Sequence, residues 1–401
     1  MHNSVPHMVE AIADKGRQIV GGLALSAAFM GSIAPADAAH AHHEELGGIQ
    51  LRQPNQLPGH TIDVPARAAS LLARASVKVY ATPIEEEPGY PAPTTALCSG
   101  VKVADGYHTY ISIAAHCFEA ETLSTDGVLN PLEFPSNNGA LDFFNRAHYT
   151  YNIEDPQVPP LDRQTLATAD GIAVSTESND VALLKVIPSA PETTKTGQPY
   201  GPTYEQLSAV PYLRQPDLTP GQKVAMYSTP QSTDNEPVKA SGTYIGQYYS
   251  LTGDYGPGVS PTRPVDVVLT HPKQPYQDVC YYGGSGSGFV AKETRHDSTA
   301  GLGGRVAASG PLSGRINSLY DPYLDPVVYN NNPETQLKQS LAMENEWRIA
   351  VEAQLGVAIS PKDTICEYSV VGDNTKNALV SAFGHFAPPL PLKGGGNMGG
   401  K

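Results

Sequence analysis

The chain has 401 residues, of which 40 are acidic and 26 are basic, so its formal net charge at pH 7 is −14. This acidity favours solubility and opposes binding to nucleic acid. The sequence contains no glycine-rich loop with a Walker lysine and no dinucleotide fingerprint, so no phosphate cofactor is implied.

The first 38 residues have the features of an export signal. Lys15 and Arg17 precede an apolar run at residues 19–34, which glycines interrupt and which is short for a segment that spans a bilayer. Ala36-Asp37-Ala38 supplies small residues at the two positions that a signal peptidase inspects. We therefore expect residues 1–38 to be a signal peptide and the protein to be secreted or periplasmic. A membrane anchor is the alternative.

Residues 39–94 leave two interpretations open. His40, His42 and His43 are followed by two glutamates, but no partner ligands are defined, so a solvated tail is favoured over a metal site. Further prolines and a short helix-like stretch at residues 64–75 follow. The segment is either a propeptide that is removed or an arm packed across the rest of the protein.

Residues from 96 onward predict an all-β protein, because short β-rich runs alternate with Gly, Pro, Asn and Asp and helical repeats are few. One exception begins at Asn332 and Pro333, where an amphipathic run that ends at Gly356 predicts a helix at residues 333–355. The chain closes with a candidate terminal helix at residues 375–383 and a glycine-rich stretch at residues 386–401, which we expect to be disordered.

Three motifs stand apart from this background. Ser285 is flanked by glycines, which let a substrate carbonyl approach closely and leave backbone N–H groups free for an oxyanion. His116 follows an apolar strand-like run, and Asp180 opens a hydrophobic strand. Each motif alone has a plainer interpretation, namely a flexible linker, a surface histidine or a turn aspartate. Their joint occurrence in the order His, Asp, Ser favours a shared chemical role.

Together these motifs resemble the three active-site blocks of the chymotrypsin/trypsin-like serine peptidases. The blocks read Ala114-Ala115-His116-Cys117, Asn179-Asp180-Val181-Ala182-Leu183-Leu184 and Gly283-Gly284-Ser285-Gly286-Ser287-Gly288. The resemblance covers residues 95–385 and is strong only in these blocks. It implies His116 as general base and then acid, Asp180 as the carboxylate that orients the imidazole, and Ser285 as the nucleophile. The oxyanion donors would be the backbone N–H groups of Gly283 and Ser285.

The resemblance also implies the fold, two six-stranded antiparallel β-barrels with inserted loops. The first barrel would span residues 95–205 and contain His116 and Asp180, and the second would span residues 206–385 and contain Ser285. Residues 130–162 are then an insertion of unknown role. No metal or other cofactor is expected.

The four cysteines fit the same family. The resemblance implies one disulfide between Cys98 and Cys117, beside the histidine, and a second between Cys280 and Cys366, beside the serine. Free buried thiols are the alternative, which export to an oxidising compartment disfavours.

Gly284 departs from the family. The animal enzymes have an aspartate there, which receives the new N-terminal ammonium on activation and thereby shapes the oxyanion hole. A glycine cannot hold that charge, so the departure indicates an oxyanion hole that needs no activation.

Specificity depends on Asp278, which lies two residues before Cys280, where trypsin-like members place the carboxylate of the primary pocket. A buried carboxylate would bind an Arg or Lys side chain. The extra residue in Tyr281-Tyr282 leaves a second alignment open, in which Val279 lines the pocket and the preference is apolar. By the same resemblance, Ser309 and Gly310 would pair with the substrate backbone.

The sequence therefore predicts a secreted serine endopeptidase that acts on proteins or peptides through an acyl-enzyme and prefers Arg or Lys before the cleaved bond. The alternative is a catalytically inactive homologue that serves as a protein-binding module. No stable membrane insertion is expected once the signal peptide is removed.

Overall fold

The structure is a computed structural model. It describes residues 50–83, 95–105, 108–117, 140–142, 149–159, 162–175, 180–190, 201–211, 217–230, 236–250, 263–272, 278–281, 283–292, 306–317 and 345–383. The predicted signal peptide, the histidines at residues 40–43 and the glycine-rich stretch at residues 386–401 lie outside these ranges.

The first sheet closes into a six-stranded antiparallel barrel. The barrel strands follow the order β1-β5-β6-β7-β3-β2, and pairing between β1 and β2 closes the ring. Two short strands extend the sheet, β4 beside β6 and β8 parallel to β2. The strands are β1 (Ser76–Pro83), β2 (Thr95–Asp105), β3 (His108–Ile113), β4 (Ala140–Asp142), β5 (Tyr149–Glu154), β6 (Thr165–Ser175), β7 (Ala182–Pro188) and β8 (Val210–Pro211).

Two strands of this barrel lie where the sequence predicts other features. The barrel begins with β1 at Ser76, ahead of residue 95, because Val77, Val79 and Ala81 alternate into the barrel core. Strand β5 lies within the expected insertion at residues 130–162, where Tyr151 and Ile153 are buried in the same core. The short strand β8 extends the first sheet past the expected boundary at residue 205.

The second sheet contains seven strands in the described part of the chain, in the order β13-β12-β9-β10-β11-β15-β14. Leu312 at the start of β14, one edge strand, exchanges backbone hydrogen bonds with Gly286 and Ser287, just before β12, which is next to the other edge strand. The all-β double-barrel prediction is confirmed. The strands are β9 (Lys223–Ser228), β10 (Val238–Ser250), β11 (Arg263–Thr270), β12 (Gly288–Lys292), β13 (Val306–Ala308), β14 (Leu312–Asn317) and β15 (Thr364–Ser369).

Three α-helices accompany the sheets in the described residues. Helix α1 (Ala66–Ala75) buries Leu72 in an apolar cluster that also contains Val101 of β2 and Tyr227 of β9, so it packs across both barrels. Helix α2 covers residues 345–355 and buries Val351 against the second barrel. Helix α3 spans Asp373–Ala382, close to the predicted terminal helix.

Helix α2 ends where the sequence predicts. Gly356 follows it with φ of +64°, the left-handed conformation that favours glycine after a helix. The predicted beginning, at residue 333, lies outside the described residues. None of the helices in the described ranges is long and apolar enough to cross a membrane.

Candidate active site

His116 lies just beyond the end of β3, in a short segment that is fixed from both sides. Ala114 and Ala115 before it are buried, and Cys117 after it forms a disulfide with Cys98 of β2. This pairing agrees with the one that the sequence predicts. Because the backbone is held on either side, the imidazole is presented in one place, with its side chain 21% exposed.

Asp180 precedes β7 and contacts His116 twice. Its Oδ2 lies 2.9 Å from Nδ1 of the imidazole, and its Oδ1 accepts a hydrogen bond of 2.8 Å from the backbone N–H of His116. The Asp180 side chain is fully buried. When Nδ1 carries the proton and donates it to the carboxylate, Nε2 is the ring nitrogen left as a base.

Asp180 adopts an unusual backbone conformation, with φ of +53°, the one positive value for a non-glycine residue in the described ranges. Left-handed backbone costs an L-residue roughly 1–2 kcal/mol, although Asp tolerates it better than most. The Ser369 hydroxyl of β15 donates a hydrogen bond of 3.3 Å to the Asp180 carbonyl. This contact from the second barrel helps to hold the conformation that aims the carboxylate at His116.

The loop that carries Ser285 packs directly against the first barrel. The backbone N–H of Ser99, on β2, lies 3.1 Å from the carbonyl oxygen of Gly283 and 2.9 Å from that of Ser285. Gly286 has φ of +84°, and a Cβ there would lie 2.1 Å from the Ser99 carbonyl oxygen and 3.2 Å from the Ala114 nitrogen. Only glycine permits this approach, which brings the serine loop within van der Waals distance of the segment that leads into His116.

The amides of the serine loop fall into two groups. Those of Gly284 and Ser287 donate hydrogen bonds within the loop, and that of Gly286 donates to Leu312. Within the described residues, the N–H groups of Gly283 and Ser285 donate to no acceptor. These are the two amides that the sequence assigns to the oxyanion site, so both are available to a ligand oxygen.

Gly284 is sterically required to be glycine. A Cβ at this position would lie 2.8 Å from the carbonyl oxygens of both Tyr281 and Val279, closer than real Cβ atoms approach. The tight turn is closed by a hydrogen bond of 2.8 Å from Gly284 N–H to the Tyr281 carbonyl. The acidic side chain of the animal enzymes would not fit here, and the backbone itself defines the turn.

The second disulfide joins Cys280, before this loop, to Cys366 of β15, again as the sequence predicts. Next to it, Asp278 is 1% exposed. Its Oδ1 accepts hydrogen bonds from Cys280 N–H (3.0 Å) and from the Thr270 hydroxyl (3.4 Å), whereas its Oδ2 has no hydrogen-bond partner within the described residues. Burial raises the pKa of Asp278, and the Thr364 hydroxyl, the Cys280 N–H and, after them, the Arg315 guanidinium lower it in part.

Arg315, on β14, was not identified from the sequence. Its guanidinium carbon lies 4.5 Å from the centre of the Tyr281 ring, a cation–π contact beside the disulfide. Val279, the alternative pocket residue, is 1% exposed and belongs to the apolar core of the second barrel. Asp278 and Arg315 thus place one negative and one positive charge beside the second disulfide.

Ser309 and Gly310 are buried between β13 and β14. The Ser309 hydroxyl accepts a hydrogen bond from Phe289 N–H (2.8 Å) and donates one to the Gly310 carbonyl (2.7 Å). A Cβ at Gly310 would lie 2.0 Å from the Ser369 carbonyl oxygen. Since these contacts are internal to the second barrel, they lend no support to a role in binding the substrate backbone, which stays a prediction.

A fully buried lysine, Lys78 of β1, also reaches the serine loop. Its Nζ donates hydrogen bonds to the carbonyl oxygens of Thr229 (2.9 Å) and Gly283 (3.2 Å). The sequence carries no signal for this, because Lys78 alternates with Val77 and Val79 just as a solvent-facing lysine would.

Two groups of potential metal ligands occur in the described residues, and both contain a disulfide. Cys98 and Cys117 lie beside His116, and Cys280 and Cys366 lie beside Asp278. The sulfur atoms of a disulfide are not thiolates, so neither group has the donor set of a structural zinc site.

The arrangement defines a class of fold, the chymotrypsin-like double β-barrel, with His116 and Asp180 on the first barrel and the serine loop on the second. No model of a protein family and no curated protein matches the chain. Among solved structures, Deg5 is 16% identical over 56% of this chain and 78% of that chain, with a TM-score of 0.30.

Two further solved structures are similar to the same extent. Kallikrein-related peptidase 10 is 16% identical over 57% of this chain and 81% of that chain, with a TM-score of 0.27. The Rv3671c protease from M. tuberculosis, in its active form, is 14% identical over 58% of this chain and 73% of that chain, also with a TM-score of 0.27. Similarity at this level assigns neither a family nor an activity.

Proposed function

We propose that the protein is a serine endopeptidase, with Ser285 as nucleophile, His116 as general base and acid, and Asp180 as the carboxylate that orients the imidazole. The observation that carries the proposal is the pairing of His116 with the buried Asp180, 2.9 Å apart, next to a serine loop whose Gly283 and Ser285 amides have no acceptor in the described residues. A base, its orienting partner and two oxyanion donors are the parts that acyl transfer needs.

In the proposed mechanism, the Ser285 oxygen attacks the carbonyl carbon of the scissile bond while Nε2 of His116 takes the hydroxyl proton. The negative charge that develops on the carbonyl oxygen is stabilised by the N–H groups of Gly283 and Ser285. The C–N bond then breaks, and the imidazolium gives its proton to the leaving amine. Water attacks the acyl-enzyme by the same steps, with His116 again as base, and releases the acid.

For specificity we propose Asp278 as the determinant of a preference for Arg or Lys before the cleaved bond. The support is its buried Oδ2, which has no hydrogen-bond partner within the described residues and would be satisfied by a cationic side chain. Arg315 competes for the same carboxylate. The alternative is that Val279 lines the pocket and the preference is apolar. A panel of substrates that differ at the residue before the cleaved bond distinguishes these two preferences.

We further propose that residues 1–38 direct export and that the substrates are proteins or peptides in an oxidising compartment. The two disulfides support this, because such bonds persist outside the reducing cytosol. Acidic net charge argues against nucleic acid as a partner.

The competing function is that of a catalytically inactive homologue that binds other proteins. Gly284, which cannot supply the acid of the animal enzymes, is the observation that favours it. Against it, the turn at Gly284 is closed by backbone hydrogen bonds that need no acid.

A fluorophosphonate probe tests the proposal, because it labels only an activated serine. We expect the wild-type protein to be labelled and to hydrolyse peptides, and Ser285→Ala to lose both, with turnover reduced on the order of 10⁴- to 10⁶-fold. Ser287→Ala is the matched control, since it changes the other serine of the same glycine-rich motif. Labelling of Ser285→Ala at the wild-type level would contradict the proposal, and an unlabelled wild-type protein would favour the binding module.

A further inference from the structure

Burying Lys78 costs free energy of folding, because its amine loses its contact with water. It is 0% exposed, and in the described part of the chain it forms no ion pair with a carboxylate. Burial lowers its pKa to about 7, with the Arg163 guanidinium contributing in the same direction. A buried amine without a counter-charge opposes folding when it is protonated, so an apolar residue here would favour stability.

The hydrogen bonds of Lys78 indicate its role. The Gly283 carbonyl oxygen lies near three donors, Lys78 Nζ at 3.2 Å, the Ser99 hydroxyl at 3.0 Å and the Ser99 N–H at 3.1 Å. Lys78 and Ser99 are direct cross-strand neighbours on β1 and β2. Both reach out of the first barrel to the same carbonyl of the second.

Thr229, the residue after β9, completes the network. Its hydroxyl lies 2.8 Å from the Ser99 hydroxyl, its N–H donates to the same oxygen at 3.0 Å, and its carbonyl accepts the second hydrogen bond of Lys78. Four segments from the two barrels therefore meet in one buried polar group. Since such a group is favourable only when its members are satisfied, it fixes the positions of all of them.

The peptide that carries the Gly283 carbonyl lies between the two proposed oxyanion donors, the N–H groups of Gly283 and Ser285. Gly283 has φ of +81°. Because glycine adopts positive and negative φ about equally readily, the residue by itself does not fix the orientation of its peptide groups. The three donors hold the peptide after Gly283, and the hydrogen bond from Gly284 N–H to Tyr281 holds the turn. Both restraints act on this one peptide, so they limit the directions available to the Gly283 N–H before it and to the Ser285 N–H after it.

We infer that Lys78 is a positioning residue for the oxyanion site, which it holds from the first barrel in place of the acid that Gly284 lacks. The inference rests on the proposed peptidase function. Lys78 itself does not touch the substrate in this arrangement, because its Nζ is buried behind the Gly283 carbonyl.

The chain offers a matched control in Lys102. This second buried lysine, 4% exposed on β2, donates to two carbonyl oxygens as Lys78 does, those of Tyr204 (2.7 Å) and Leu207 (3.2 Å). Its hydrogen bonds lie away from the serine loop. Lys102→Met therefore removes the same side chain and the same kind of contact without touching Gly283.

We expect Lys78→Met to lower kcat by about 10- to 100-fold with little change in KM, somewhat less than the loss of one oxyanion donor. Lys102→Met should leave kcat within about twofold of wild type. A second readout compares a peptide aldehyde, whose adduct carries the oxyanion, with the corresponding alcohol. Lys78→Met should weaken aldehyde inhibition about as much as it lowers kcat, and alcohol inhibition hardly at all.

Ser99→Ala is a second variant that tests the inference if Lys78→Met does not fold. It removes one of the three donors to Gly283 and no charge, so we expect a smaller loss of kcat with the same selectivity for the aldehyde. If folded Lys78→Met matches Lys102→Met in kcat and in aldehyde inhibition, or if Ser99→Ala stands in for it and matches wild type, the inference is wrong. If wild type is not labelled by the fluorophosphonate, the peptidase proposal itself has failed.

Discussion

Two buried aspartates of this protein have opposite hydrogen-bonding environments. Asp180 has both carboxylate oxygens engaged by His116, through the ring Nδ1 and the backbone N–H. Asp278 has one oxygen engaged by Cys280 and Thr270, while the other has no hydrogen-bond partner in the described residues. A satisfied carboxylate suits a fixed orienting role, and an unsatisfied one suits a ligand that arrives with the substrate.

Asp278→Asn should reduce the ratio of kcat/KM for an Arg substrate to that for a Leu substrate by about 10- to 100-fold. The amide oxygen can still accept from Cys280 and Thr270, but the charge that binds a guanidinium is lost, at about 1.5–3 kcal/mol. The measurement uses peptides that differ only at the residue before the cut.

Arg315→Ala is the companion variant. Its cation lowers the pKa of Asp278 and competes with a basic substrate, so its removal should raise the same ratio. If Asp278→Asn leaves the ratio unchanged, Asp278 is a structural carboxylate and the Arg or Lys preference is wrong.

The sequence could indicate the candidate reacting groups but not the residues that hold them. His116, Asp180 and Ser285 lie in local patterns that can be recognised one block at a time. Lys78 and Arg315 act across long separations and have no local pattern. On β1, alternation with Val77 and Val79 predicts an exposed lysine, because a single strand does not reveal that a second barrel covers its outer face.

At the scale of elements, the N-terminal segment is part of the fold. Strand β1 pairs with β2 on one side and with β5 on the other, so it closes the first barrel. Helix α1 buries Leu72 between the barrels. Burying a side chain as large as valine or leucine contributes about 1.5–3 kcal/mol. The burial free energy lost with both elements would therefore exceed the free energy of unfolding of most domains.

Removal of residues 1–49 should therefore leave a folded protein, whereas removal of residues 1–94 should not. The shorter deletion keeps α1 and β1, and the longer one opens the first barrel. Thermal unfolding followed by circular dichroism would show a cooperative transition for the first variant and none for the second. We also expect the N-terminus of the exported protein, found by mass spectrometry, to lie upstream of α1. An active protein that begins at residue 95 would contradict this.

Some elements could be predicted from the sequence, including strands β3 and β7 and the terminal helix. Strands β1 and β5 could not. Both lie in proline-rich surroundings that resemble a tail or an insertion, and their alternating Val77, Val79, Tyr151 and Ile153 become meaningful only when the two strands pair. Pairing between segments about 70 residues apart is not visible in a local pattern.

At the scale of the whole molecule, buried polar groups contribute to the contact between the two barrels. Because burial shifts the pKa of such groups, the stability of the protein should depend on pH. Lys78 at the junction has its pKa lowered to about 7, and the charged groups around it are Arg163, whose cation contributes to that shift, and Glu154, its neighbour in register on β5. Burial raises the pKa of Glu154, which Arg163 partly offsets. In the unfolded chain Lys78 would titrate near its ordinary value of 10.5.

This difference predicts the direction of the pH dependence of stability. Between about pH 7 and 10.5 the unfolded chain binds a proton at Lys78 that the folded protein does not, so the free energy of unfolding should rise with pH across that window. Below about pH 7 both states are protonated and the full penalty remains, on the order of a few kcal/mol. Lys78→Met should therefore be more stable than wild type at pH 6, with a flatter profile between pH 7 and 9.

The free energy of unfolding can be measured with urea at pH 6, 7, 8 and 9 for wild type, Lys78→Met and Lys102→Met. Lys102→Met is again the control, because Lys102 is also buried with a lowered pKa but lies outside the network at Gly283. A Lys78→Met variant that is more stable but slower would mean that the protein gives up stability at this junction for the geometry of its oxyanion site. A variant that loses stability and rate together would assign Lys78 to the packing between the barrels instead.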